Sequence, residues 1–293
     1  MIDKLLSVII TTYKRDIKII DRAIKSVKNQ TYPFIEIILV DDNLNEENIS
    51  ADIKSLCERD GVVYIKQFGN MGSCAARNLG VANSCGEYIA FLDDDDTWES
   101  EKCKKQISYL LKGYGLVFSK GIKIDETFIP PTTKPYGNAD GFIQTPDFND
   151  LLIKNRIGTT SQIMVTRQCF FSIDGFDTSF PARQDYDFCL RASKKYQIIG
   201  IDESLFCHYI HSGQQLSKDP VKALKGYLLL YKKYKEDYKK NMPAYININC
   251  KLAKSYLHNQ RYLLFIITIT KNIFHSPFKI QYIINKSTEK KIV

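Results

Sequence analysis

Gly86-Glu87-Tyr88-Ile89-Ala90-Phe91-Leu92-Asp93-Asp94-Asp95-Asp96-Thr97-Trp98 decides how the rest of this chain is read. Tyr88 to Leu92 is a short apolar run introduced by Gly86, the pattern of a buried strand. Four consecutive carboxylates follow, and a strand interior holds such groups only with partners. Like charges this close raise one another's pKa unless a cation sits among them. A hard divalent ion takes oxygen ligands, and Mg²⁺ typically binds one or two carboxylates together with substrate phosphates. A strand ending in acids thus suggests a metal–diphosphate site at the carboxyl edge of an open α/β sheet, where such sheets bind ligands. The plainer reading is a solvated acidic turn.

The sequence upstream supports the site. Leu5 to Tyr13 is a continuous apolar run rich in β-branched residues, as in a strand buried on both faces of a parallel sheet. Lys14-Arg15-Asp16 is a turn, with Asp16 as N-cap of a helix whose Ile17, Ile20, Ala23, Ile24 and Val27 share one face. Phe34 to Val40 is a second strand, ending at Asp41-Asp42-Asn43. A polar helix over about 46–58, a strand over 62–65 and a glycine-bearing loop, Gly69-Asn70-Met71-Gly72-Ser73, lead into a helix carrying Arg77-Asn78. This alternation predicts a doubly wound α/β sheet, in which parallel strands bring Asp42 and Asp93 to Asp95 to one edge. Asp41-Asp42 alone reads equally as a turn, and Arg77 equally as half of a surface ion pair.

Bulk properties narrow the class. The chain has 293 residues, 44% hydrophobic and 25% charged, enough for one large or two modest domains. Its 8 cysteines show no C-x-x-C pair and no regular spacing, which argues against zinc ribbons and disulfide scaffolds and for free thiols in a reducing cytosol. The first apolar run is too short for a signal sequence, and no run of apolar residues is long enough to span a bilayer. The net charge of +8 is uneven: residues 218–293 hold 16 Lys and Arg against 4 Asp and Glu. No aromatic-interleaved basic motif or zinc finger supports nucleic acid as a partner.

Ser7 to Tyr13, Val40-Asp41-Asp42-Asn43, Ala76-Arg77-Asn78-x-Gly80 and Gly86-Glu87-Tyr88-x-x-Phe91-Leu92-Asp93-x-Asp95-Asp96 resemble, in order and spacing, the family 2 glycosyltransferases of GT-A fold. The likeness covers roughly residues 5–217. It implies an inverting, metal-dependent transferase using a nucleotide sugar, with a Rossmann-like, mostly parallel sheet flanked by helices. The implied domains are a catalytic domain over 1–217, with a nucleotide-binding half (1–100) and an acceptor half (101–217), and a basic helical extension over 218–293. By position, Thr11 and Tyr13 would line the base pocket, with Tyr13 stacked on uracil, and Asp42 would accept a hydrogen bond from the base. Arg77 would lie near the nucleotide, Asp93 and Asp94 would bear on ribose and metal, and Asp95 would be the main ligand for Mn²⁺ or Mg²⁺. Leu44 departs from the family, which commonly has Ser or Gly there.

Further along, Trp98 reads as an anchor below the metal loop. A helix over 100–112 and a strand over 116–119 follow, then a Pro/Gly-rich stretch over 129–146 read as an irregular acceptor-side loop. Ile157 to Val165 reads as a loop entering a strand, where the family often contacts sugar and acceptor. Gly175-Phe176-Asp177 followed by Gln184-Asp185 resembles the family segment whose second acid is the catalytic base, so the base maps to Asp185; Gln184 stands where an acid is usual. A carboxylate there suits removal of the acceptor hydroxyl's proton opposite the departing diphosphate. A helix cap is the simpler role for Asp185, and the two are compatible; Asp187 is read as structural. His211, with Ser217 after it, resembles the family's closing segment and is read equally as a packed residue or as a group near the diphosphate or metal. His208 is read as unremarkable packing.

In the extension, Asp219-Pro220 opens a helix with Val221, Leu224, Leu228, Tyr231 and Tyr234 as its apolar stripe, and helices over 244–259 and 260–274 follow Pro243. These lysine-rich helices suit either peripheral contact with an anionic membrane or packing on the domain. The expectation is a cytoplasmic enzyme, peripheral at the inner membrane face, moving a UDP-linked sugar to a saccharide or lipid-linked saccharide in bacterial surface polysaccharide synthesis. The alternatives are a nucleotidyltransferase, which would want a glycine-rich loop directly after the first strand, and a non-catalytic nucleotide-sugar-binding subunit.

Overall fold

The computed structural model describes residues 4–44, 47–136, 142–210 and 219–275. The chain forms two compact units. The first comprises Met1–Phe148, Asn155–Ser179 and Gln184–Gly213; the second comprises Asn149–Lys154, Phe180–Arg183 and Gln214–Val293.

The first unit opens with β1 (Leu6–Thr12), α1 (Ile17–Lys28), β2 (Ile35–Asp41), α2 (Glu47–Asp60), β3 (Val63–Lys66), α3 (Gly72–Ala82) and β4 (Tyr88–Asp93). These are the expected strand–helix units, with most boundaries displaced by a residue or two. Their four strands pair in parallel in the order β3-β2-β1-β4. Both faces of β1 are covered: Leu6, Val8, Ile9 and Ile10 are buried, which is why this strand is an unbroken apolar run and does not alternate. Asp16 caps α1 by accepting from the Lys18 amide at 2.8 Å. Ile20, Ala23, Ile24 and Val27 of that helix are buried against the sheet, with Ile17 packed at the margin.

The sheet then turns mixed. β5 (Asp96–Trp98), α4 (Lys102–Leu110), β6 (Leu116–Asp125) and β7 (Thr132–Tyr136) come next. After α5 (Phe148–Ile153) and a 3₁₀ turn, Thr160–Gln162, follow β8 (Met164–Thr166), α6 (Arg167–Ser172), α7 (Gln184–Ser193) and β9 (Ile198–Ile210). The whole order is β3-β2-β1-β4-β8-β6-β9-β5, with β7 paired to β6. Three expectations are corrected here. The acidic run is not one turn, since Asp96 already belongs to β5 and pairs with His208 of β9. The stretch over 129–146 is not wholly irregular, since β7 lies within it. The strand begun at Leu116 runs on to Asp125, kept extended by β7 and β9 on its two sides.

Beneath the site lies an aromatic cluster. Phe91 of β4 meets Phe176 edge-on with centroids 5.0 Å apart, and Phe176 stacks on Phe188 of α7 at 4.5 Å. Asn78 of α3 accepts from the Phe176 amide at 2.9 Å and donates to its carbonyl at 2.8 Å, which fixes this segment against α3. Gly175 precedes it at φ +61°, and a Cβ there would lie 2.7 Å from Asn78 Oδ1. Gly80, one turn after Arg77, lets α3 lie on β1, where a Cβ would meet Ile9 Cγ2 at 2.5 Å. The Arg-Asn-x-Gly motif thus has a distinct structural task at each named position.

The eight cysteines are free thiols. Cys85, just ahead of β4, is exposed, Cys250 is half-buried and the others are buried.

In the second unit, α8 (Pro220–Lys233), α9 (Lys235–Lys240), α10 (Met242–His258) and α11 (Tyr262–His275) follow one another. Asp219 caps α8 by accepting from the Val221 and Lys222 amides, with Pro220 in the first turn as expected. The expected stripe is shifted. Val221 and Leu228 are 50% and 36% exposed, whereas Leu224, Leu230 and Tyr234 are buried, so the inward face runs through Leu230. Pro243 does not break the chain but sits in the first turn of α10, where a missing amide costs nothing.

Candidate active site

The parallel strands set Asp41 and Asp42 at the carboxyl end of β2 and the acidic run at the carboxyl end of β4 along one sheet edge, with β1 between them. Asp41 is fully buried and accepts from Ser50, Tyr64 and Lys66, so it ties β2 to α2 and β3. Asp42 faces the glycine loop. Its Oδ1 accepts from Gln67 Nε2 at 2.5 Å and the Met71 amide at 3.1 Å, and its Oδ2 from the Gly72 amide at 3.0 Å. Burial pushes its pKa up against those donors. Asp42 therefore holds the start of α3, through internal donors that no local pattern in the sequence announces.

The acidic run is dissected residue by residue. Asp93 accepts from Arg77 Nη2 at 2.6 Å, Thr160 Oγ1 at 3.0 Å and Thr159 Oγ1 at 3.3 Å. Burial alone would raise the pKa of Asp93, but the Arg77 charge and hydrogen bond hold it below the ordinary value. Asp94 accepts from Thr12 Oγ1 at 2.7 Å and Arg15 Nε at 3.0 Å. Burial, with the Asp95 and Asp93 charges, brings it up to about 7 even against Arg15. Asp95 meets Arg15 Nη2 at 2.9 Å. Asp96 turns inward to Ser161 Oγ at 2.6 Å and His208 Nδ1 at 2.8 Å, and burial raises it to about 6.

Arg77 is 5% exposed, so the surface ion-pair reading is overturned. Its Nη2 binds Asp93 while its Nη1 is buried with no hydrogen-bond partner. A buried orphan guanidinium nitrogen is costly and suits an anion or a carbonyl. Thr11 lies half-buried between Val40 and Asp93 in the strand register, and Tyr13 stands 36% exposed just past the end of β1. A cleft lined by Lys14, Arg15, Ile17, Ile49, Asp52 and Ile53 opens beside that turn. Trp98 is buried as expected, its Nε1 donating to the Ser161 carbonyl at 2.9 Å.

Sequence reasoning missed Arg15, Thr12 and His208, and it marked the segment holding Thr159 to Ser161 without seeing that its hydroxyls bind Asp93 and Asp96. His208 is no bystander: burial opposes its proton, but the hydrogen bond and charge of Asp96 raise its pKa. An arginine in the turn after β1, on the same edge as the acids, was the one available signal. His211 and Ser217 lie outside the described residues. Asp185 sits in the first turn of α7, next to Gln184, whose Nε2 reaches Ser73 Oγ of α3 at 3.5 Å. Phe188 in the aromatic cluster anchors that helix, and so does Arg191, which donates to the Gly175 carbonyl at 2.7 Å and is held by the fully buried Asp187 at 2.8 Å.

Among the described residues no three His, Cys, Asp or Glu side chains converge as metal ligands. The donor set still fits a hard divalent cation, because Mg²⁺ needs only one or two carboxylates beside substrate phosphates. The Arg15 guanidinium against Asp94 and Asp95 also marks this as a place built for positive charge.

Comparison with known proteins decides the family. The sequence pattern of Glycosyl transferase family 2 matches residues 7–173, more than half of the chain and every acidic residue of the sheet edge. The chain belongs to glycosyltransferase family 2. This transferase is 29% identical over 240 residues to the Bacillus subtilis protein named teichuronic acid biosynthesis glycosyltransferase TuaG, covering 78% of this chain and 87% of TuaG. It is 28% identical over 247 residues to the Escherichia coli protein named colanic acid biosynthesis glycosyl transferase WcaA, covering 82% and 85% of the two chains. Among solved structures, S. aureus TarS (1–349) superposes with a TM-score of 0.58 at 14% identity, covering 92% of this chain and 88% of that one. A TarS structure in complex with UDP-GlcNAc gives a TM-score of 0.57 at 15% identity, covering 86% and 81%. The transferase has the GT-A fold, and among its described residues no helix is long and apolar enough to cross a membrane.

Proposed function

We propose that this transferase moves a sugar from a UDP-linked donor to an acceptor hydroxyl with inversion at the anomeric carbon. The observation that carries the reading is the buried, unpartnered Nη1 of Arg77 beside the acidic run. A diphosphate oxygen would satisfy it while leaving the Arg77–Asp93 pair intact. Mn²⁺ or Mg²⁺ would be held by Asp95 with Asp93, and His211 is a further candidate. When bound, such an ion supplies positive charge to the departing diphosphate. Arg77 adds charge to the same group, and the turn formed by Thr159 to Ser161 holds Asp93 and Asp96 in place. Thr11, Tyr13 and Asp42 would receive the uridine, and Asp94, fixed by Thr12 and Arg15, would shape the ribose side. Asp185 would take the acceptor's proton at its carboxylate as the new bond forms. The names of TuaG and WcaA support surface polysaccharide synthesis as the process, and the UDP-GlcNAc complex of TarS supports a UDP-linked donor.

Titration calorimetry with UDP tests the reading. UDP should bind at least about tenfold more tightly with Mn²⁺ than with EDTA, and Asp95→Ala should remove that difference. Equal affinity with and without metal overturns metal-dependent donor binding.

A further inference from the structure

α11 wears its apolar surface on the outside. Tyr262, Leu263, Ile266 and Ile267 fall on one helical stripe and are 60%, 71%, 55% and 40% exposed, with Leu264 at 39% on its margin. Phe265 and Thr268, which face away from that stripe, and Ile269 at its edge are half-buried, and the helix packs on α10. The Thr268 hydroxyl turns back onto the Leu264 carbonyl at 2.7 Å, so its polarity is spent within the helix. A helix in water places apolar residues inward, and an outward stripe of this size marks an interaction surface.

Charge selects the occupant. From Asn259 to Val293 the sequence holds Arg261, Lys271, Lys279, Lys286, Lys290 and Lys291 against the single acid Glu289. Apolar side chains in so cationic a stretch of sequence match an anionic bilayer surface, where chains and headgroups lie in adjacent layers. The helix has 14 residues, a length of roughly 21 Å at about 1.5 Å per residue, short of a hydrocarbon core about 30 Å thick. A helix of this length suits the interface and is too short to cross. Tyr262 suits the headgroup level, with its ring in the apolar zone and its hydroxyl wet.

We propose that the exposed face of α11, Tyr262-Leu263 with Ile266-Ile267, is a membrane-interface anchor that seats the enzyme on anionic lipid. The inference goes beyond the donor chemistry and does not depend on it. The lysine-rich α8, an equal candidate from sequence, is not where the outward apolar face lies: Val221 and Leu228 are its only large exposed hydrophobics, one near its start and one two turns later.

The test is flotation of the full chain with phosphatidylcholine vesicles, with or without about a third phosphatidylglycerol. Binding should require the anionic lipid and weaken as salt shortens the screening length below about 10 Å. The double substitution Leu263→Glu, Ile266→Glu should weaken binding by about tenfold or more. Because both residues are exposed, it should leave the melting temperature unchanged. Val63→Glu, an equally exposed apolar site at the β3 edge, should leave vesicle binding as it was. A second readout is Ile266→Trp, whose emission should shift blue on adding anionic vesicles while Trp98, being buried, stays constant. No binding to anionic vesicles, or binding that survives Leu263→Glu, Ile266→Glu, overturns the proposal. So does a dimer in sedimentation that the same substitutions dissociate, because a second copy would then be what covers the face.

Discussion

Arg15 Nη2 lies 2.9 Å from Asp95 Oδ2, so the carboxylate proposed as the main metal ligand carries a protein cation. Burial works against the Arg15 charge, but Asp94, Asp95 and Asp93 together raise its pKa and keep it firmly ionised. Two unit positive charges about 4 Å apart repel by about 4 kcal/mol with an effective dielectric of about 20, and the double charge of Mn²⁺ doubles the repulsion. Arg15→Met should therefore tighten Mn²⁺ binding without nucleotide by roughly tenfold or more, measured by calorimetry. Unchanged or weaker Mn²⁺ binding would show that the arginine and the metal do not share Asp95.

Asp42 joins the end of β2 to the start of α3 through Gln67, Met71 and Gly72. Asp42→Ala should then do two things at once. It should destabilise the fold by roughly 1–3 kcal/mol, because buried donors lose their acceptor, and it should weaken UDP binding by a similar amount. Gln67→Ala removes one donor and leaves the carboxylate, so UDP affinity should hold. If Asp42→Ala melts early yet binds UDP normally, Asp42 shapes the glycine loop and does not meet the base.

Lys102 is fully buried, its ammonium over the Trp98 ring at 4.2 Å and 2.5 Å from Gln106 Oε1. Burial brings its pKa from 10.5 down to about 7. Between those two values the unfolded chain holds a proton that the folded chain gives up, so this residue makes stability rise with pH across that window. The slope is at most about 1.4 kcal/mol per pH unit, and below it the full cost of the buried charge is present. Lys102→Met should be more stable than the native chain near pH 7, with the gap closing toward pH 10. Melting curves that stay parallel from pH 7 to roughly 10 would mean that Lys102 remains charged through local solvation.

Asp185→Asn keeps the shape and the position in the first turn of α7 but removes the proposed base. Turnover should fall by a factor of roughly 10²–10⁴ with UDP and Mn²⁺ affinity unchanged. Gln184→Glu, restoring the acid usual in the family, should be tolerated. Near-normal turnover in Asp185→Asn, with stability lowered by about 0.3–1 kcal/mol, would leave Asp185 only an acid that complements the dipole at the start of α7.

What could be read ahead of the structure was whatever the local pattern records. Leu6 to Thr12 and Tyr88 to Leu92 announce doubly covered strands because every residue in them is apolar or small, and Asp16 and Asp219 announce helix starts because capping is a local bond. What could not be read depends on partners far along the chain. Asp96 becomes a strand residue only because Ser161 and His208, 65 and 112 residues away, receive it. The hidden stripe of α8 failed for the same reason, since helical spacing allows Leu228 or Leu230 inward and only the packing of the four helices chooses.

Cys85 offers a practical consequence. It stands exposed at the amino end of β4, the end opposite the acidic edge, while burial pushes Cys57, Cys103 and Cys169 up to about 12 and Cys74 and Cys207 to about 11. Thiolate, not thiol, attacks an electrophile, so a maleimide dye offered briefly at neutral pH should mark Cys85 ahead of the buried sulfurs. The native sequence thus carries its own attachment point for a fluorophore or spin label, one strand-length from the chemistry. Nucleotide arrival could be followed from there without altering any residue that takes part in it.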